Sequence, residues 1–165
     1  MFPLHDLRRM LVAWLYAAAL AHLLVGLILT WAGQTGLLDD YVHHIEQAFW
    51  GATAPAPAHT QQIWWLALFG ATLQSYSLYM LGLVHIGNRY KIPSIWGWII
   101  IGIVVWAPQD IWISLQAGIW SHLWVDSFAL LVLLPPLFWL YRLDKRAELT
   151  AGNGNIGEAS PEGPS

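Results

Sequence analysis

SIWGWIIIGIVVWAPQDIWISL, residues 94–115, decides how many times the chain crosses a membrane. Its purely apolar part stops at Ala107, and as a helix residues 94–107 would span roughly 21 Å, too short for a hydrocarbon core of about 30 Å. Pro108 allows two readings. Either the helix continues through it with a kink to about Leu115, or Pro108 opens a separate surface helix that Gly118 ends. The kinked continuation is expected, and with it the chain has four spans.

The surrounding composition requires a membrane protein. Of 165 residues, 57% are hydrophobic and only 10% charged, too little charge to cover a soluble domain of this size. The absence of cysteine excludes disulfides, thiolate metal sites and a cysteine nucleophile. No basic patch offers a partner surface to nucleic acid. Residues 11–31 form an apolar run of about 31 Å as a helix, long enough to span and longer than a cleavable signal's apolar region. Further spans are expected at about 62–86 and 120–141, the last bent near Pro135 and Pro136.

Between the first two spans, LLDDYVHHIEQAFW (37–50) places Leu38, Tyr41, Val42, Ile45 and Phe49 at helical spacing behind Asp39 or Asp40 as N-cap. This predicts a short amphipathic helix on the membrane surface. GATAPAPAHT (51–60) reads as an extended linker because proline disfavours helix before it. Residues 147–165 have the composition of a disordered cytoplasmic tail. The fold class is therefore an all-α integral membrane protein, a four-transmembrane-helix bundle with one surface helix in its first extracytoplasmic loop.

Arg8, Arg9, Arg89, Lys91, Arg142, Lys145 and Arg146 all fall on one side of such a bundle. The positive-inside rule makes that side cytoplasmic, with both termini inside a plasma (inner) membrane. Trp31, Trp50, Trp64, Trp65, Trp112, Trp120 and Trp124 then lie near the outer interface, where indoles anchor.

Polar groups within spans are expensive and normally face the bundle or a wet cavity. His22 shares a face with Ala18 and Gly26, which implies a close helix neighbour, and it lies level with Gln74, to which it is expected to hydrogen-bond. Asp110 in the third span, with His122 and Asp126 at i, i+4 in the fourth, forms a shallower layer about 7–9 Å below the outer boundary. The surface helix is expected to bring His43, His44 and Glu46 over it.

Several chemistries fit this layer. His122 and Asp126 have the spacing of a two-ligand metal site, though no metal-enzyme signature accompanies them. Asp110, His122 and Asp126 also suit acid–base or binding chemistry on a small lipophilic substrate. Haem ligation by His22 and His85 would require them to be level, which their positions do not favour. Against these stands a purely structural reading, in which Asp126 pairs with His122, Asp110 satisfies backbone near Pro108 and His22 holds Gln74. The sequence thus points first to an accessory or assembly subunit without catalysis of its own, in contact with the lipid bilayer and a membrane-protein partner or second copy. The alternative is a binding protein or enzyme that uses the Asp/His layer; any cofactor stays open. The alternative requires Asp110, His122 and Asp126 to converge on a cavity between the spans.

Overall fold

The computed structural model describes residues 4–157, with side chains over 5–151. It contains five helices in the order α1 (Leu4–Trp31), α2 (Asp39–Trp50), α3 (Ala56–Tyr90), α4 (Pro93–Gln116) and α5 (Trp120–Gly157). Four of them, all but α2, are long and apolar enough to cross a bilayer. The protein is a small four-span helical membrane protein.

The third span runs unbroken through Pro108. Pro108 removes one backbone donor, but the apolar residues before it cannot span alone, so continuity to Gln116 is what lets α4 cross. At its end Gly118 adopts a left-handed conformation (φ 74°). There the Gly118 N–H donates to the Leu115 carbonyl and the Ile119 N–H to the Ser114 carbonyl, a Schellman closure that starts α5 within a few residues.

Other boundaries move. α3 begins at Ala56, inside the stretch expected to be an extended linker. Pro55 is its N-cap and Pro57 lies in its first turn, where a missing N–H leaves no helical bond unmade. Asp39 and Asp40 do not cap α2: Leu38 holds that position, and the two acids lie in the first turn, favourable to the helix dipole. α5 continues past Arg146 to Gly157, where the composition suggested disorder from residue 147. Ala147, Glu148 and Leu149 favour helix and prolong the one already formed; residues 158–165 lie outside the described residues.

Around the bundle α1 packs on α3, α3 on α4, α4 on α5, and α5 back on α1. The α1/α3 crossing is very close. A Cβ placed on Gly70 would lie 2.7 Å from the Gly26 carbonyl oxygen, and one on Gly26 would lie 2.8 Å from that of Gly70. Only glycine at both positions permits this approach, which fulfils the close neighbour expected along the face of His22.

The buried core is one-sided. Leu15 and Ala19 of α1, Met80 and Val84 of α3, Trp96, Ile99 and Ile103 of α4, and Leu133, Leu137 and Leu140 of α5 form one cluster. All lie in the half of the bundle towards the basic residues. At that end Arg8 grips Asp144 with both terminal nitrogens, at 2.6 and 3.2 Å, and Trp96 Nε1 donates to the same carboxylate at 2.8 Å. Arg8 Nε also reaches Asn88 Oδ1 at 3.4 Å, so all four spans meet at one polar clamp. The clamp closes one end, and the opposite half, under α2, is left with space.

Candidate functional site

That space is a cavity of about 420 Å³ between the α1/α3 and α4/α5 pairs. Its walls are mainly apolar: Val25 and Leu29 from α1, Phe69 and Leu73 from α3, Trp106 from α4, with Leu38, the N-cap of α2. Into the same wall come His22, Tyr41, Asp110, His122 and Asp126. The helical spacing of His122 and Asp126 puts both on the face of α5 that looks across to α4, which contributes Asp110.

His122 is the hub. Its Nε2 lies 3.0 Å from the Tyr41 hydroxyl of α2, and its Nδ1 lies 2.9 Å from Ser114 Oγ of α4. Asp110 Oδ1 stands 3.8 Å from Nδ1. A carboxylate beside Nδ1 favours the proton on that nitrogen, which leaves Nε2 to accept from the Tyr41 O–H. Burial raises the pKa of Tyr41 above the usual phenol range, and the charges of Asp110 and Asp126 act in the same direction. Tyr41 therefore remains a neutral donor. Ser114 and Asp110 address the same ring nitrogen, whereas nucleophilic serine chemistry needs them on opposite ones. The arrangement suits holding a ligand by hydrogen bonds better than activating Ser114.

Asp126 is 3% exposed, and its Oδ2 is buried without a hydrogen-bond partner. The sequence-based pairing of Asp126 with His122 is thus replaced: both nitrogens of His122 are engaged elsewhere. Asp110 likewise lies towards the imidazole of His122 instead of capping backbone near Pro108. Among the described residues no group of three His, Asp or Glu side chains has metal-holding geometry.

His22 and Gln74 are at one level but do not meet. His22 Nδ1 donates to the Ala18 carbonyl at 2.7 Å. Gln74 Nε2 donates to the Gly26 carbonyl at 3.2 Å and to Thr30 Oγ1 at 2.8 Å. Side chains lean towards the N-terminus of their own helix, and α1 and α3 are antiparallel, so the two side chains diverge. His22 stays in the cavity wall; Gln74 helps hold the glycine crossing. His85 is about 16 Å further along α3 than Gln74, with Nδ1 3.4 Å from the Tyr16 hydroxyl, so it shares no site with His22.

α2 covers the cavity by different residues from those expected. His43 and His44 are exposed and occupied locally, the first by Gln47 at 3.3 Å and the second by the Asp40 carbonyl at 2.7 Å. Glu46 is 2% exposed but turns to the start of α3, where His59 Nδ1 donates to its Oε1 at 2.7 Å. That hydrogen bond lowers the pKa of Glu46, against the opposing effect of its burial. Gln62 Nε2 adds a bond to the Val42 carbonyl at 3.3 Å. α2 is therefore pinned to α3 by Glu46 and Val42 and to α5 by Tyr41. Tyr41 and Ser114 were not singled out from the sequence, because each sits among residues that read as an apolar anchoring stripe.

Compared with protein-family models, curated proteins and solved structures, the chain matches none.

Proposed function

We propose that this membrane protein binds a small lipophilic molecule in the cavity beneath α2. The observation that carries the proposal is the convergence of Asp110, His122 and Asp126 on one largely apolar cavity of about 420 Å³. Cavities of roughly 300–1,000 Å³ with few convergent polar groups are the usual form of small-molecule sites. Groups needed only for packing are instead paired off in the core, as Arg8 and Asp144 are. Every lysine and arginine lies at the end opposite α2, which by the positive-inside rule supports a cavity in the outer half of the bilayer, in our reading a plasma (inner) membrane.

A second reading, an assembly or interaction subunit, draws on the small residues left facing outwards. Ala13 and Ala17 are exposed, and a Cβ added at Gly82 or Gly102 would meet nothing within 4 Å. Such positions permit a close helix partner. The glycine of α1 best suited to that role, Gly26, is already used against α3.

The deciding measurement is extraction and mass spectrometry of protein purified in mild detergent. A small lipophilic species near one equivalent is expected from the wild type, reduced at least about tenfold in Leu73→Trp, whose indole fills the cavity, at unchanged folded yield. Absence of any retained species, with a stoichiometric protein partner instead, would overturn the binding proposal in favour of the second.

A further inference from the structure

The cavity's polar groups are unbalanced. Asp110 and Asp126 both line it, and among the described residues no lysine or arginine does. Asp126 is 3% exposed, and its Oδ2 makes no hydrogen bond within the protein. Leaving a buried carboxylate oxygen unpaired is costly, and the Tyr41 hydroxyl on the same wall already donates to His122 Nε2. A donor carried by whatever fills the cavity would satisfy that oxygen. Trp106 and Tyr41 border the same volume, and aromatic rings attract cations as well as apolar groups.

We infer that the ligand is a lipophilic amine: an apolar body seated between α1, α3 and α4, and a protonated nitrogen that donates to Asp126 beside Asp110. This rests on the reading of the cavity as a binding site and adds to it the charge and donor character of the occupant. A cation satisfies both the unpaired oxygen and the surplus of acid charge, whereas a neutral alcohol supplies a donor but leaves two carboxylates without a countercharge. Tyr41 feels the same surroundings: burial raises its pKa most, and the two carboxylates add to that rise.

The test uses a matched pair, decylamine and decanol, titrated against the full-length protein in mild detergent and read by tryptophan fluorescence and thermal shift. Decylamine is expected to bind at least about tenfold more tightly than decanol, the factor one charge-assisted hydrogen bond provides. In Asp126→Asn, nearly the same shape without the charge, the ratio should fall to within about twofold while decanol binding is kept. Asp110→Asn should narrow the ratio less, and provides a second route if Asp126→Asn fails to fold. Equal binding of the two probes to wild type, or a ratio that survives both substitutions, overturns the amine assignment and leaves the cavity proposal standing. Binding of neither probe overturns both.

Discussion

Gly70→Ala tests the crossing that shapes the cavity. A Cβ at this position would lie 2.6 Å from Thr30 Oγ1, and 2.7 Å from both the Gly26 carbonyl oxygen and the Thr30 amide nitrogen. Two of these three atoms are backbone, so they cannot rotate away as a side-chain tip can. To restore contact near 3.4 Å, α1 must withdraw by about 0.7 Å along a helix that also carries His22, Val25 and Leu29 into the cavity wall. Forcing extra volume into a packed contact costs about 1–3 kcal/mol. Alanine would return about 0.5–1 kcal/mol through its better helix propensity. The expected balance is a loss of up to about 2.5 kcal/mol, centred near about 1 kcal/mol. Gly82→Ala supplies the control, since an added Cβ there meets nothing within 4 Å and only the propensity gain applies. Denaturant unfolding in mild detergent, followed by tryptophan fluorescence, should place Gly70→Ala below wild type and Gly82→Ala level with it or above. If Gly70→Ala proved as stable as Gly82→Ala, the two helices would not cross at these glycines, and the described cavity wall would be wrong.

At the basic end, Arg8→Met leaves Asp144, 4% exposed, with Trp96 as its remaining strong donor, and should cost about 3–5 kcal/mol of unfolding free energy. The double variant Arg8→Met/Asp144→Asn should recover part of that; a double variant less stable than the single would contradict a mutually compensating pair. Tyr41→Phe removes the hydroxyl that joins α2 to His122, so α2 amides should exchange faster with solvent by a factor of about five, matching about 1 kcal/mol for one hydrogen bond. Unchanged exchange would mean that Tyr41 does not hold the cover in place. Glu46 has a pKa lowered by His59, so its contribution to docking α2 is complete above the ordinary glutamate range and is lost as pH falls through the depressed value. Hydrogen exchange of α2, corrected for intrinsic rates, should accordingly rise at acid pH and respond less in Glu46→Gln; tighter protection at acid pH would reverse the assigned sign.

Much of the architecture was legible because the bilayer imposes it. A span must hold about 20 apolar residues, and backbone in lipid must satisfy itself, so hydropathy with the position of Pro108 sufficed to choose continuity for α4. The same cost of polarity marked Asp110, His122 and Asp126 as the residues to watch. Prolines misled at the start of α3, since composition does not say whether Pro55 and Pro57 precede a helix or open one. The periodicity of α2 was correct, but its faces were assigned to the wrong partners. Tyr41 reads as one more apolar contact until the fold brings His122 to it, and Glu46 reads as a cavity ligand until His59 takes it.

The amino-acid sequence by itself determined that the chain is a four-span membrane protein, with α2 between the first two spans and its basic residues gathered at one end. These follow from local quantities: length, hydropathy and charge along the chain. Only the tertiary structure decided that the core closes at the basic end and leaves a cavity under α2, that His22 and Gln74 turn apart, and that Arg8 and Asp144 meet. Those outcomes depend on which helix faces which and on the direction each side chain leans in antiparallel neighbours. Lipid and protein interior are equally apolar, so hydropathy along one helix cannot distinguish the face that packs from the face that meets the bilayer.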